Sequence, residues 1–189
     1  MHQTREAGSN KKKRHHHLVE WIISKEMMDH ALRSVRARTH LDRDHDIPYV
    51  AGYSLDGRTI FIDRHMPKSF VFKSRRILTD RFLIMHEAVE KALMQMLGMH
   101  YLHAHQIALR AEQAAVRAEG VDWHAYDDFM QEYIKEIGHE KLERVPNTLD
   151  LTPYQDFHDD ELVQQMRANM VEFATANRPS DYLITSPAT

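Results

Sequence analysis

Residues 80–97 of the chain read DRFLIMHEAVEKALMQML and are followed by Gly98. Apolar side chains recur there every three or four positions, the spacing of one face of an α-helix, and a glycine commonly ends such a helix. His86 and Glu90 lie four residues apart on the apolar face, and Glu87 points to its flank. Because a buried carboxylate is costly unless it is paired or bound to a metal, this helix predicts either an ion pair or half of a metal site.

A second amphipathic helix is predicted over residues 101–119. Small side chains recur along it and would let another helix approach closely: Ala104, Ala108, Ala111 and Ala115. His105 and Glu112 lie along one edge of this stripe, so packing through the stripe makes His105 the best-placed third ligand. Glu112 would then orient His105 from behind or bind the metal itself. His103 and His100 are weaker alternative ligands.

Two imidazoles and one carboxylate leave a fourth position for water, which is typical of a catalytic zinc site rather than a structural one. Such a metal makes bound water acidic enough to ionise near neutral pH, and Glu87 would take the proton as general base. The chain has no cysteine, so any metal must be held by imidazole and carboxylate groups. The expected cofactor is Zn²⁺, with Mn²⁺ or Fe²⁺ as alternatives because Glu90 supplies a carboxylate.

The same residues also have an interpretation without a metal. His86 would then be a core histidine hydrogen-bonded to a carboxylate. Glu90 would form a buried ion pair with Arg81 or Arg110. His105 would be an ordinary polar residue of its helix.

The pentapeptide HEAVE is not specific by itself. In a chain with 15 histidines and 28 acidic residues, such a pattern is expected roughly 0.3 times by chance, and motif matches carry that risk. A second copy, HEKLE at residues 139–143, follows a glycine among charged residues and is predicted to be a solvated helix end. The apolar setting of the first copy and the aligned His105 distinguish it from the second.

The pattern upstream of the first motif changes from helix to strand. Residues 18–40 predict a helix and residues 42–48 a polar loop. Residues 49–54 and 58–63 are short β-like runs separated by an Asp-Gly turn, a strong hairpin signal. A third, weaker strand is predicted at residues 69–73.

Further helices are predicted downstream at residues 123–137 and 159–174. The order predicts an α+β fold in which a small β-hairpin or sheet precedes a mostly helical half carrying the metal-site helix pair. The expected organisation is a disordered basic tail at 1–17, a single domain at 18–176 and a flexible tail at 177–189.

Composition restricts the classes of function. A chain with 42% hydrophobic and 28% charged residues is typical of a globular protein, and a net charge of −3 disfavours nucleic acid as a partner. The basic run at residues 11–14 is expected to be a solvated tail, with contact to a polyanion as the less favoured alternative. No apolar stretch is long enough for a membrane span or a signal peptide, so a cytoplasmic location is expected. His45 is expected to lie in a loop outside the core, and no oligomeric state is predicted.

The motifs resemble those of the zincin-like metallohydrolases, whose active-site helix carries His-Glu-x-x-His and whose third ligand lies downstream. The chain is most similar to the thermolysin-type branch with two ligands exchanged, because His86 and Glu90 form an HExxE motif and His105 follows. It is also similar to small bacterial and prophage proteins in which HExxE is followed by Ala-His-x-x-Ala, here residues 104–108.

This resemblance implies a zincin-like fold and a metalloprotease-like hydrolase acting on a peptide or protein substrate. It also implies that residues 58–63 form an edge strand that binds extended substrate by backbone pairing; the alternative is an ordinary buried strand. Asp63 and His65 near its end are possible additional ligands, although turn or surface roles are commoner. Candidate oxyanion donors are His65, His103 and Tyr101.

The competing function is a non-enzymatic metal-binding or interaction module of bacterial or phage type, in which the same cluster locks the helices together. A third alternative is a metal-free scaffold with a buried His–Glu network. These alternatives differ in metal content and in the effect of a chelator on stability.

Overall fold

A computed structural model describes residues 25–171 of the chain. Its elements follow in the order α1 (25–36), β1 (His40–Asp42), β2 (Ala51–Tyr53), β3 (Thr59–Ile62), β4 (Ser69–Phe72), β5 (Arg75–Leu78), α2 (Asp80–Leu97), α3 (Tyr101–Ala118), α4 (Trp123–Gly138), β6 (Val145–Pro146), α5 (Thr152–Asp156), α6 (Asp160–Ala168) and β7 (Met170–Val171). The predicted α+β class is confirmed. The predicted tails at 1–17 and 177–189 lie outside the described residues, as do parts of the first and last predicted helices. The last of these helices, predicted over residues 159–174, ends at residue 168, and the strand β7 follows it.

The predicted hairpin supplies β2 and β3 of a three-stranded sheet with the order β1-β3-β2, in which β3 is the central strand. β2 and β3 are antiparallel, and Gly57 in the turn between them has a φ of +68°, a conformation that glycine adopts without strain. β1 pairs with the other side of β3 in parallel. The expectation that residues 58–63 form an edge strand is therefore wrong, since β3 is central and all four of its residues are buried.

The helix predicted to reach residue 40 ends at residue 36, and His40 instead begins β1 opposite Thr59. A three-residue strand is too short to show an alternating pattern, and its partner lies far along the chain. The following loop also differs from expectation, because His45 is buried and its Nδ1 lies 2.7 Å from Asp42 Oδ1.

A second hairpin precedes the motif helix. β4 was predicted, whereas β5 was not, because Ile77 is its only buried residue and two arginines precede it. Lys73 and Ser74 make the tight turn with positive φ values of 47° and 64°.

The three long helices begin and end within one residue of their predicted limits. Gly98 follows α2 with a φ of +61°, and Asp122 caps α4 by accepting a hydrogen bond from the amide of Ala125 at 3.2 Å. The buried faces of α2, α3 and α4 pack with the sheet into one core, and a smaller core forms around Phe61 and Tyr154. No helix within residues 25–171 combines the length and apolar character needed to cross a membrane.

Candidate metal centre

Three side chains predicted as metal ligands meet between α2 and α3, and we call them the ligand triad: His86, Glu90 and His105. His86 Nε2 lies 3.2 Å from His105 Nδ1 and 3.5 Å from Glu90 Oε2, and His105 Nδ1 lies 3.0 Å from Glu90 Oε2. The alanine stripe explains the approach, because Ala104 and Ala108 are completely buried on the face of α3 that supports His105.

The spacing of these three atoms fits a small metal ion. Tetrahedral ligands about 2.0–2.1 Å from zinc stand about 3.3 Å from one another. The observed separations of 3.0–3.5 Å bracket that value. Two imidazole nitrogens and one carboxylate oxygen are also the donor types that such an ion accepts.

Glu112 fixes the orientation of His86. His86 donates from Nδ1 to Glu112 Oε2 at 2.8 Å, and the Tyr126 hydroxyl donates to Glu112 Oε1 at 2.5 Å. A histidine that donates from Nδ1 can present the lone pair of Nε2 to a metal. The expectation that Glu112 orients His105 is wrong, since seven residues of helix separate the two by about 10 Å along the axis.

Tyr126 was interpreted from the sequence as a packing residue of α4. It is completely buried, and its hydroxyl donates to Glu112. The only available signal was a phenol on the apolar face of a helix, because a buried hydroxyl usually finds a polar partner.

The charges around His86 favour a cation at this point. Burial opposes protonation of His86, but the carboxylates of Glu112 and Glu90 outweigh it and hold the pKa of His86 well above its ordinary value. Burial likewise opposes ionisation of Glu90, yet hydrogen bonds from His105 and His86 lower its pKa. A proton on His86 or a metal ion in the triad can supply the positive charge that these carboxylates require.

Glu87 lies beside the triad and is 7% exposed. Burial raises its pKa to about 8, the negative charges of Glu90 and Glu112 add to this effect, and His86 opposes it. A divalent cation in the triad would favour the ionised carboxylate that a general base requires.

A cavity of about 220 Å³ adjoins the triad and Glu87. A single water needs only about 10–15 Å³ of such space, so the cavity has room for a larger molecule. Its walls come from β2, α2, α3, α4 and the start of α5. The triad is thus open on one side, which is a feature of catalytic metal sites rather than structural ones.

The other predicted candidates lie in different places. His100 caps α3 by accepting from the amide of Leu102 at 3.4 Å, and both His100 and His103 are exposed and do not line the cavity. Tyr101 does line it, with its hydroxyl 3.4 Å from His105 Nδ1. The alternative ion pair of Glu90 with arginine is not formed by Arg81, whose guanidinium binds Asp29 and Glu119.

Asp63 and His65 do not reach the triad but belong to a second group with Asp46, which we call the loop group. Arg64 Nε lies 2.6 Å from Asp46 Oδ1, and the backbone amide of Ile47 donates to Asp63 Oδ2 at 2.7 Å. This group already contains its own cation and donors. The second HExxE copy is exposed apart from Leu142 and follows the end of α4, which confirms that it is a solvated segment, although it is not helical.

Comparison of the chain with protein-family models, with curated proteins and with solved structures found no match. The structure itself shows three candidate ligand atoms, a neighbouring carboxylic acid and an adjoining cavity.

Proposed function

We propose that the protein is a small metal-dependent hydrolase that cleaves a peptide or amide bond. The observation that carries this proposal is the convergence of His86 Nε2, Glu90 Oε2 and His105 Nδ1 at the wall of a cavity that also contains Glu87. A zincin-like fold is part of the proposal, supported by the order of hairpin, motif helix and second ligand-bearing helix. A cytoplasmic location and a peptide or protein substrate remain predictions.

Each residue of the site has a role in this proposal. His86, Glu90 and His105 would hold Zn²⁺, or alternatively Mn²⁺ or Fe²⁺. The bound metal would supply an acidified water and polarise the substrate carbonyl. Glu87 would accept the proton of that water and return it to the leaving amine. Glu112 would hold the His86 ring in the orientation that directs Nε2 at the cavity wall.

Tyr101 is the one of the three candidate oxyanion donors that lines the cavity. Burial raises the pKa of its phenol, and the charges of Glu90 and Glu87 raise it further. The hydroxyl would therefore stay protonated near neutral pH and could donate a hydrogen bond to a developing negative charge.

The second candidate function is a non-enzymatic module in which the same groups join α2 to α3. Two bonds across the helices favour it, from His86 to Glu112 and between His105 and Glu90. The high pKa of His86 favours a metal-free version, in which a protonated imidazole replaces the metal between the two carboxylates.

Metal analysis and peptide cleavage by the full-length protein test the proposal. We expect about one metal ion per chain, loss of that metal in His105→Ala, and retention in the matched variant His103→Ala, whose side chain is exposed. Glu87→Gln is expected to keep the metal and to lose cleavage of a mixed peptide library by at least about 100-fold. Cleavage by Glu87→Gln at the wild-type rate would refute the mechanism. Bound metal without any cleavage would favour the non-enzymatic module, and no bound metal would favour the metal-free scaffold.

A further inference from the structure

Part of the cavity lining is apolar. Leu109 of α3 and Trp123, Met130 and Ile134 of α4 line the cavity. A substrate group placed there would exchange water for hydrocarbon and aromatic surface, which favours apolar groups.

Aromatic rings extend this apolar surface to the exterior. Tyr49 lines the cavity while 44% exposed, and its ring stacks on that of Tyr154 at a centroid distance of 5.5 Å. The ring centroid of Phe157 lies 6.0 Å from that of Tyr49 and 5.5 Å from that of Tyr101, and Phe157 is 49% exposed. Large aromatic side chains left in contact with water beside a cavity are a common feature of ligand sites.

The backbone holds Tyr49 in this position at an energetic cost. Tyr49 and Val50 both have positive φ values, 59° and 70°, and a β-branched residue rarely adopts this conformation. The Tyr49 hydroxyl donates to Asp159 Oδ2 at 2.8 Å, which anchors the ring over α5 and α6. Strain of this kind is concentrated at functional sites, where the surrounding structure maintains it.

Acidic groups outnumber basic ones in the lining of the cavity. Five carboxyl-bearing residues line it, namely Glu87, Glu90, Glu112, Asp127 and Asp150. Among residues 25–171, no lysine or arginine lines it. The two imidazoles in the lining, those of His86 and His105, already bind Glu112 and Glu90. A phosphate or a carboxylate in this cavity would therefore meet a mainly negative potential.

From these features we infer that the site takes an uncharged amide bearing an aromatic side chain and rejects anionic substrates, including peptides whose free carboxyl terminus would lie in the cavity. This inference rests on the proposed function, since it names the substrate class of the same site. The aromatic group would lie between the apolar wall of α4 and the ring of Tyr49. The amide would then lie beside Glu87 and the triad.

Three matched probes test the inference by NMR titration of the full-length protein, with the Trp123 indole as reporter. They are N-acetylphenylalaninamide, its free acid N-acetylphenylalanine, and N-acetylalaninamide. The protein is first treated with a chelator, so that the carboxylate of the free acid cannot bind a metal. We expect the aromatic amide to bind at least about tenfold more tightly than either of the other probes, a difference of about 1.4 kcal/mol.

Substitutions locate the source of this selectivity. Asp127→Lys is expected to bring the affinity of the free acid close to that of the amide, because it places a cation in the cavity wall. Asp128→Lys adds the same charge to an exposed position of the same helix and is expected to leave the selectivity unchanged. Tyr49→Ala is expected to weaken only the two aromatic probes.

Equal affinity of the wild-type protein for the free acid and the amide, or for the alanine and phenylalanine amides, would overturn the inference. Because binding is measured without metal and without turnover, this result is separate from the test of the hydrolase. Selective binding without any cleavage would refute the proposed function alone. Cleavage without selectivity would refute the substrate class alone.

Discussion

The ligand triad and the loop group contain similar residues, and each brings three ligand atoms within 4.8 Å of one another. They differ in what else faces those atoms. In the loop group, Arg64 lies 2.6 Å from Asp46 and backbone amides occupy the oxygens of Asp63. The triad has imidazoles, carboxylates and an open cavity instead. Nearness of His and acidic residues is therefore a weak criterion for a metal site, and an arginine or backbone amides already bound to the same oxygens argue against one.

Among the substitutions that distinguish the ligand triad from the loop group, replacement of His86 is expected to have the largest effect. We expect His86→Ala to lower zinc affinity by more than about 100-fold. Loss of the imidazole also leaves the buried Glu112 and Glu90 without their cation, so the free energy of unfolding should fall by about 3–5 kcal/mol. Zinc titration calorimetry and chemical denaturation measure the two effects.

The control for this prediction is His65→Ala in the loop group. His65 is 45% exposed at its side chain, and its removal is expected to change neither zinc affinity nor stability appreciably. If His86→Ala fails to fold, His86→Gln keeps a donor for Glu112 while removing the metal-binding nitrogen. Unchanged zinc binding in a folded His86 variant would contradict the assignment of the triad.

Tyr126→Phe tests whether the hydrogen bond from Tyr126 to Glu112, which in turn binds His86, contributes to metal affinity. The change removes the donor to Glu112 Oε1, and a buried acceptor without its donor costs about 1–3 kcal/mol. Zinc affinity is expected to fall about 10-fold to 100-fold, since groups that orient a ligand act on the metal in this way.

Tyr133→Phe on the same helix is the matched control, because its ring is partly buried against Phe129. It should leave zinc affinity unchanged. A folded Tyr126→Phe with wild-type affinity for zinc would show that the hydroxyl serves only packing.

Asp150 lines the same cavity as the triad, but like Asp46 of the loop group it is paired with a basic side chain. Lys91 Nζ donates to Asp150 Oδ2 at 2.8 Å. Burial opposes ionisation of Asp150, but hydrogen bonds from Lys91 and the Thr152 amide outweigh it and hold its pKa below the ordinary 3.8. Ionised Asp150 therefore stabilises the fold near neutral pH, and this contribution is lost as the pH falls below about 4 through the lower pKa of the folded state.

The variant Asp150→Asn should reduce the fall in stability between pH 5 and pH 3 by about 1 kcal/mol. Urea denaturation at the two pH values measures the difference. Zinc affinity at neutral pH should change little, because Asp150 belongs with the paired carboxylates rather than with the triad. A loss of stability at low pH identical to that of the wild type would show that the ion pair contributes nothing.

The sequence predicted those parts of the molecule in which a pattern repeats over several turns. The limits of α2 and α3 followed from apolar periodicity and glycine stops, and the alanine stripe indicated His105. β1 and β5 were missed because a strand of three or four residues with a single buried side chain shows no alternating pattern. Helical periodicity identifies which face of α3 is buried, but not which residue lies opposite, so Glu112 was assigned to the wrong histidine.

The central position of β3 has a consequence for solubility. On one side β3 pairs with β2, its neighbour in the sequence. On the other side it pairs with β1, which follows α1 in the chain and places His40 opposite Thr59. Detachment of α1 and β1 would expose one complete edge of an entirely buried strand with the sequence TIFI. Such an edge readily pairs with a strand of another molecule, so the contacts of α1 protect the chain against aggregation.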